Sequence, residues 1–241
     1  MTLPKIDLPT FTLAIPSIGI TSVKARPFTV KEEKLLLMAS ESEDVNEVID
    51  TTLQVLNNCI LEENFDVTKL PFFDIDYLFI ALRAKSISES IEVQFTCNAI
   101  VNNERCGTVF PANIDIANVI VVKADIPAEI DIGEGRRVTM RYPTYSEMKR
   151  LAESEQTIDK KIRLVAMCID TVYDKDTVYS KKDYTQSDLM EFVETMSENT
   201  FKKLENFVDN FPSFVVLADA NCTKCGFRHT LRYTDFERFF T

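Results

Sequence analysis

The chain has 241 residues, 45% of them hydrophobic, and its 38 acidic against 27 basic side chains give a formal net charge of -11. That length allows one large domain or two small ones, and that hydrophobic share excludes wholesale disorder. An acidic field of this size opposes binding to phosphate backbones, which rests on Lys and Arg.

The longest apolar runs, such as Tyr77 to Leu82 and Phe214 to Ala220, fall far short of the roughly 20 residues a spanning helix needs. The first twenty residues carry Asp7 and several prolines where a secretory leader has a basic start and an unbroken apolar core, so a cytoplasmic protein without membrane insertion is expected. Five glycines and a single histidine leave little for phosphate-cradling loops or histidine catalysis, and GxGxxG, Walker, GxSxG and HExxH patterns are missing.

In chain order, Ile20 to Arg26 alternates as a strand. Thr29 and Glu32 then have the spacing of a capping box, which predicts a short helix ending near Ser40. A second helix starts at Asp44, with Val45, Val48, Ile49, Thr52, Leu53, Leu56, Cys59 and Ile60 on one face. Asp74 opens a third, with Ile75, Leu78, Phe79 and Leu82 on its apolar side. The period then changes to two. Ser90 to Cys97, Gly107 to Asp115, Asn118 to Ala124 and Arg136 to Pro143 read as strands, with a turn at Glu134 and Gly135.

A second capping box, Thr144 with Glu147, opens a helical block that runs to Val172 with one break near Thr157. A further helical stretch covers Ser187 to Asn210. Its apolar row, with Phe192, Met196 and Phe201, packs either on the chain's own sheet or against another protein, and the latter would make the block a contact arm. Pro212 to Cys222 and Gly226 to Tyr233 return to strands, before a last short helix capped by Thr234 and Glu237. No internal repeat is evident. The class is α+β: N-terminal helices, antiparallel strands and an inserted helical block. The expected domains are 1–143 with 212–241, and 144–211 as the insertion.

Six cysteines punctuate this layout. Cys59 and Cys168 lie in apolar helical stripes and read as small buried hydrophobes. Cys222 and Cys225 form a Cys-x2-Cys followed by Gly226, and Cys97 and Cys106 form a wider pair followed by Gly107, each between two strands. Two strand-flanked pairs that both finish in Cys-Gly predict a zinc-ribbon-like module, in which four thiolates hold a structural Zn²⁺. The eight-residue spacer makes the first knuckle a hairpin of its own, and the site staples segments more than a hundred residues apart. Reduced packing thiols and a redox Cys-x2-Cys are the alternatives, the latter weakened because CTKC joins strand to strand rather than opening a helix. His229 is an alternative ligand or a surface or packing residue. Carboxylate pairs such as Asp74 with Asp76 and Asp170 with Asp174 read as caps or solvated faces, and Lys181 and Lys182 beside Asp183 as a loop, so no catalytic residues are assigned.

From Arg26 to Ala39 (RPFTVKEEKLLLMA), through NNCI at Asn57 to Ile60, to Phe72 to Ser88 (FFDIDYLFIALRAKSIS) and the first cysteine pair, the chain resembles the baseplate hub family of T-even-type contractile-tailed bacteriophages. The resemblance covers about half of the chain, in its N-terminal part; the late CTKCG is compatible with it, and Thr144 to Asn210 is not aligned. It implies a non-enzymatic structural or assembly protein of the virion tail, built in the host cytoplasm, that binds other tail and baseplate proteins and has room for a homo-oligomer within a ring. The competing readings are a nucleic-acid-binding or adaptor zinc ribbon, supported by Lys224, Arg228, Arg232 and Arg238, and an enzyme without a recognisable motif.

Overall fold

The computed structural model describes residues 6–17, 22–42, 44–117, 119–153 and 160–234. The chain divides into two compact units: Met1–Val67, Phe73–Val122 and Ser213–Thr241 form the first, and Thr68–Phe72 with Lys123–Pro212 form the second. Both mix helices with antiparallel strands. Among the described residues no helix is long and apolar enough to cross a membrane.

In the first unit, strands β1 (Phe11–Ala14) and β2 (Ser22–Ala25) form a hairpin, with Phe11 opposite Ala25. Helices α1 (Val30–Ser40), α2 (Val45–Cys59) and α3 (Phe72–Ser86) follow. The first two predicted caps are in place: the Glu32 carboxylate accepts the Thr29 amide at 2.8 Å, and the Asp44 side chain accepts the Asn46 amide at 2.9 Å. Apolar residues surround α3, with Phe73, Ile75, Leu78, Phe79, Ile80 and Leu82 all buried, as expected of a helix inside a core. Asp74 on this helix is fully buried and accepts both the amide and the hydroxyl of Ser17, so it is neither a cap nor part of a solvated face.

The remaining strands of this unit carry the cysteines. β3 (Ser90–Thr96) pairs with β6 (Val109–Asp115), and between them a small hairpin joins β4 (Ile100–Val101) to β5 (Glu104–Arg105). β7 (Ile120–Val122), β12 (Ser213–Asn221) and β13 (Arg228–Tyr233) form a three-stranded sheet in the order β13-β12-β7.

The second unit holds a four-stranded antiparallel sheet in the order β11-β10-β9-β8, from β8 (Glu129–Gly133), β9 (Arg136–Met140), β10 (Ile169–Asp174) and β11 (Thr177–Ser180). Helices α4 (Tyr145–Ala152), α5 (Lys160–Cys168), α6 (Gln186–Glu194) and α7 (Glu198–Asp209) complete it. Val138, Met140, Val165, Ile169, Leu189 and Leu204 form its core, against which Phe192, Met196 and Phe201 pack half-buried. The apolar row of the helical block therefore packs within its own unit, and the contact-arm alternative loses its premise.

Three sequence expectations change. Residues 123–143 fall in the second unit, because β8 and β9 pair with β10 instead of extending the cysteine-bearing sheets. The block 144–211 is not purely helical: Ile169 lies four residues after Val165 and continues the helical stripe, but the β-branched and aromatic run Thr171, Val172, Tyr173 is pulled into the sheet. Ser187 to Asn210 is two helices, broken where Ser197 caps α7 by accepting the Thr200 amide. The strand predicted from Ile20 is described only over Ser22–Ala25, and the last helix expected after Thr234 lies outside the described residues.

An internal repeat is present after all. In both units a hairpin strand leads into an arginine, a capping box opens a helix, and a second helix ends at a fully buried cysteine followed by isoleucine. The Arg26 amide donates to the Cys59 carbonyl at 2.9 Å, and the Arg141 amide to the Cys168 carbonyl at 2.7 Å. Ala25 bridges Ile60 and Met140 bridges Ile169, both antiparallel. Burial pushes the Cys59 thiol up to about 11 and the Cys168 thiol up to about 12, so both are inert packing residues.

Candidate metal centre

The four cysteines singled out by their spacing meet within the first unit. Their sulfurs all lie within 4.8 Å of one another. Cys97 Sγ is 3.6 Å from Cys225 Sγ, and Cys106 Sγ is 3.9 Å from Cys222 Sγ. Zn–S bonds near 2.3 Å place the corners of a tetrahedron about 3.8 Å apart. A disulfide needs about 2.05 Å, and all four thiols are free.

Both knuckles are built in the same way. In the first, the Cys97 amide donates to the Thr108 carbonyl at 2.8 Å and the Gly107 amide to the Cys97 carbonyl at 3.0 Å. In the second, the Cys222 amide donates to the Phe227 carbonyl at 2.9 Å and the Gly226 amide to the Cys222 carbonyl at 2.9 Å. Gly107 and Gly226 turn with φ of +62° and +71°, a left-handed conformation that L side chains adopt with strain. The amide two residues on donates to each sulfur: Ala99 to Cys97, Thr108 to Cys106, Lys224 to Cys222 and Phe227 to Cys225. The long spacer of the first knuckle is the β4–β5 hairpin, closed by Asn102 and Asn103 at positive φ, as a tight two-residue turn requires.

Donor geometry sets the thiols against one another. Burial pushes Cys97 up to about 12, while the Thr108 hydroxyl and amide hold Cys106 down to about 6. Four thiols this close ionise together only around a cation, because four thiolates repel strongly in a buried site. Soft sulfur donors in a tetrahedron suit zinc or iron, and four protein ligands leave no position for water or substrate.

His229 is buried, not on the surface, and is not one of the four converging donors. Its Nε2 lies 3.2 Å from Cys97 Sγ. Of the cations around the second knuckle, Arg228 pairs with Asp219 at 2.7 Å, which removes one from any phosphate-binding patch, and Arg238 lies outside the described residues.

Elsewhere, Asp174 pairs with Arg136 at 3.3 Å, and Lys181, in a single 3-10 turn, pairs with Glu147 at 3.0 Å. Burial pushes the Asp76 carboxyl up to about 7, a departure that periodicity could not signal. The second unit has an open cleft of about 580 Å³ lined by Tyr179, Tyr184, Phe192 and Met196. Its charged groups already have partners: Arg136 has Glu134 and Asp174, and Asp188 accepts the Thr185 amide.

The model of the T4 bacteriophage base plate protein family matches residues 8–241, which takes in both units and both knuckles. The chain belongs to that family. Comparison with curated proteins and with solved structures finds no match. The match to a baseplate family covers the helical block that sequence motifs alone did not align. Family membership makes this a phage baseplate protein, located in the virion tail and structural in role.

Proposed function

We propose that the chain is a non-enzymatic structural or assembly subunit of the baseplate hub. It acts by binding other baseplate proteins, and a Zn²⁺ held by Cys97, Cys106, Cys222 and Cys225 staples its first unit. The observation that carries the role is the family match across the whole described fold. The metal reading rests on four sulfurs within 4.8 Å of one another in two knuckles with the same hydrogen bonding. In this reading the zinc stabilises and does not catalyse, because its coordination is closed. Assembly takes place in the host cytoplasm, where thiols stay reduced.

Disrupting the gene in its phage tests the role. The expected result is normal heads with tails that lack a complete baseplate, and restoration by the wild-type chain in trans. Complete, infectious tails overturn the proposal. Cross-linking of purified baseplates then separates a hub position, with cross-links to central proteins, from a peripheral one. The nucleic-acid alternative predicts affinity that falls steeply with salt.

A further inference from the structure

The imidazole of His229 is held in an aromatic box. Its ring centroid lies 5.1 Å from that of Phe95, 5.9 Å from Phe110 and 4.9 Å from Phe227. A phenyl ring would fill such a space without the cost of burying ring nitrogens. What the imidazole adds is a polar edge, and that edge meets a sulfur: Nε2 stands 3.2 Å from Cys97 Sγ. Cys97 belongs to the first knuckle, while His229 lies on β13, which leaves the second, opposite Ala220. The contact therefore ties the exit strand of one knuckle to the first ligand of the other.

Four thiolates around a divalent cation carry a net charge of -2, and every N–H directed at a sulfur spreads that charge. Cys106 receives the amide of Thr108 and lies 3.4 Å from its hydroxyl, and Cys222 receives the amides of both Lys224 and Cys225. Cys97, fully buried, receives the Ala99 amide and faces His229. A metal-bound thiolate has no proton to give, so a hydrogen bond at this place needs the proton on Nε2.

We infer that His229 is a positioning residue of the metal centre, not a ligand: its Nε2–H donates to the metal-bound Cys97 thiolate and raises the affinity of the site for its cation. The inference rests on the zinc reading above. It assigns the chain's only histidine a task that shape-filling does not explain.

The test compares wild type, His229→Phe and His229→Gln, each loaded with Zn²⁺ and titrated with a chromogenic chelator. His229→Phe keeps the ring and loses the donor; His229→Gln keeps an Nε2–H donor and loses the ring. The expected result is one equivalent of metal in all three, affinity about 10- to 100-fold weaker in His229→Phe, and substantial recovery in His229→Gln. Nitrogen NMR of the loaded wild-type chain supplies a readout that packing does not move, and the Nε2-protonated tautomer is expected. Affinity within twofold of wild type in His229→Phe, or the Nδ1-protonated tautomer, overturns this inference while the zinc reading stands. A wild-type chain that takes up no metal overturns both. Should His229→Phe fail to fold, the tautomer in the wild-type chain decides.

Discussion

Arg26 and Arg141 make the same four side-chain hydrogen bonds, one set in each unit. Nη1 donates to the carbonyl of the next residue, Pro27 or Tyr142, and to Oε2 of the capping-box glutamate, Glu32 or Glu147. Nη2 donates to Oε1 of that glutamate, at 2.8 Å and 2.6 Å, and to the carbonyl before the buried cysteine, that of Asn58 or Met167. The guanidinium thus locks the start of one helix to the end of the next, and the chain uses this joint twice.

Arg26→Ala leaves the Glu32 carboxylate buried with its countercharge gone, which predicts a loss of about 3 kcal/mol of stability in urea titrations. The double change Arg26→Met with Glu32→Met should recover much of that loss, because it removes both charges and keeps apolar volume. A single variant within about 0.5 kcal/mol of wild type, the scale of an ordinary surface change, means that the clamp contributes little.

Elemental analysis of chain purified without chelator should give close to one zinc per molecule, and a metal-free sample with a full melting transition contradicts the metal assignment. Cys222→Ser should destabilise strongly, because it removes a ligand and unties residues 116 positions apart. Cys59→Ala, by contrast, leaves a small cavity and should cost about 1 kcal/mol.

Asp76 sets a pH dependence. Its folded-state value of about 7 stands above the unfolded value of about 3.9. Between these the unfolded chain has released the proton and the folded chain still holds it, so stability falls as pH rises from about 4 to 7 and is level above. Glu32 works in the opposite sense: burial opposes its charge, but bonds from Arg26 and Thr29 outweigh that and hold it down to about 2. Its contribution is present above about 4.3 and is lost as pH falls toward 2. Asp76→Asn should therefore be more stable than wild type at pH 8, by at most about 4 kcal/mol, and should flatten the slope between pH 4 and 7. An unchanged slope refutes the assignment to Asp76.

Phe192→Ser with Met196→Ser should lower the melting temperature of the isolated chain, because both side chains pack against the core of the second unit. An unaltered transition together with lost binding to a baseplate neighbour would show that these residues face a partner instead.

What the sequence revealed follows the range of each signal. Both capping boxes were legible because three residues of spacing carry the whole motif, and the cysteine cluster because thiols followed by glycine have few other uses in a strand-flanked loop. The repeat was hidden. RPFTVKE and RYPTYSE share only Arg, Thr and Glu at a common spacing, and the cysteine that completes the joint follows at different distances, 59 after 26 and 168 after 141. The strand at Ile169 was masked by the helical stripe leading into it, and His229 by residue counting, since a lone histidine on a strand says nothing about the sulfur across the sheet.

The two knuckles are also separated in time. Translation at roughly 5–20 residues per second puts on the order of ten seconds between Cys106 and Cys222 leaving the ribosome. Throughout that interval the nascent chain carries only the first cysteine pair, while every residue of the second unit, Thr68–Phe72 and Lys123–Pro212, is made before Cys222. The inserted unit is free to fold while the surrounding one waits for its last strands, so translation order makes the meeting of the two cysteine pairs a closing event of folding and not its nucleus.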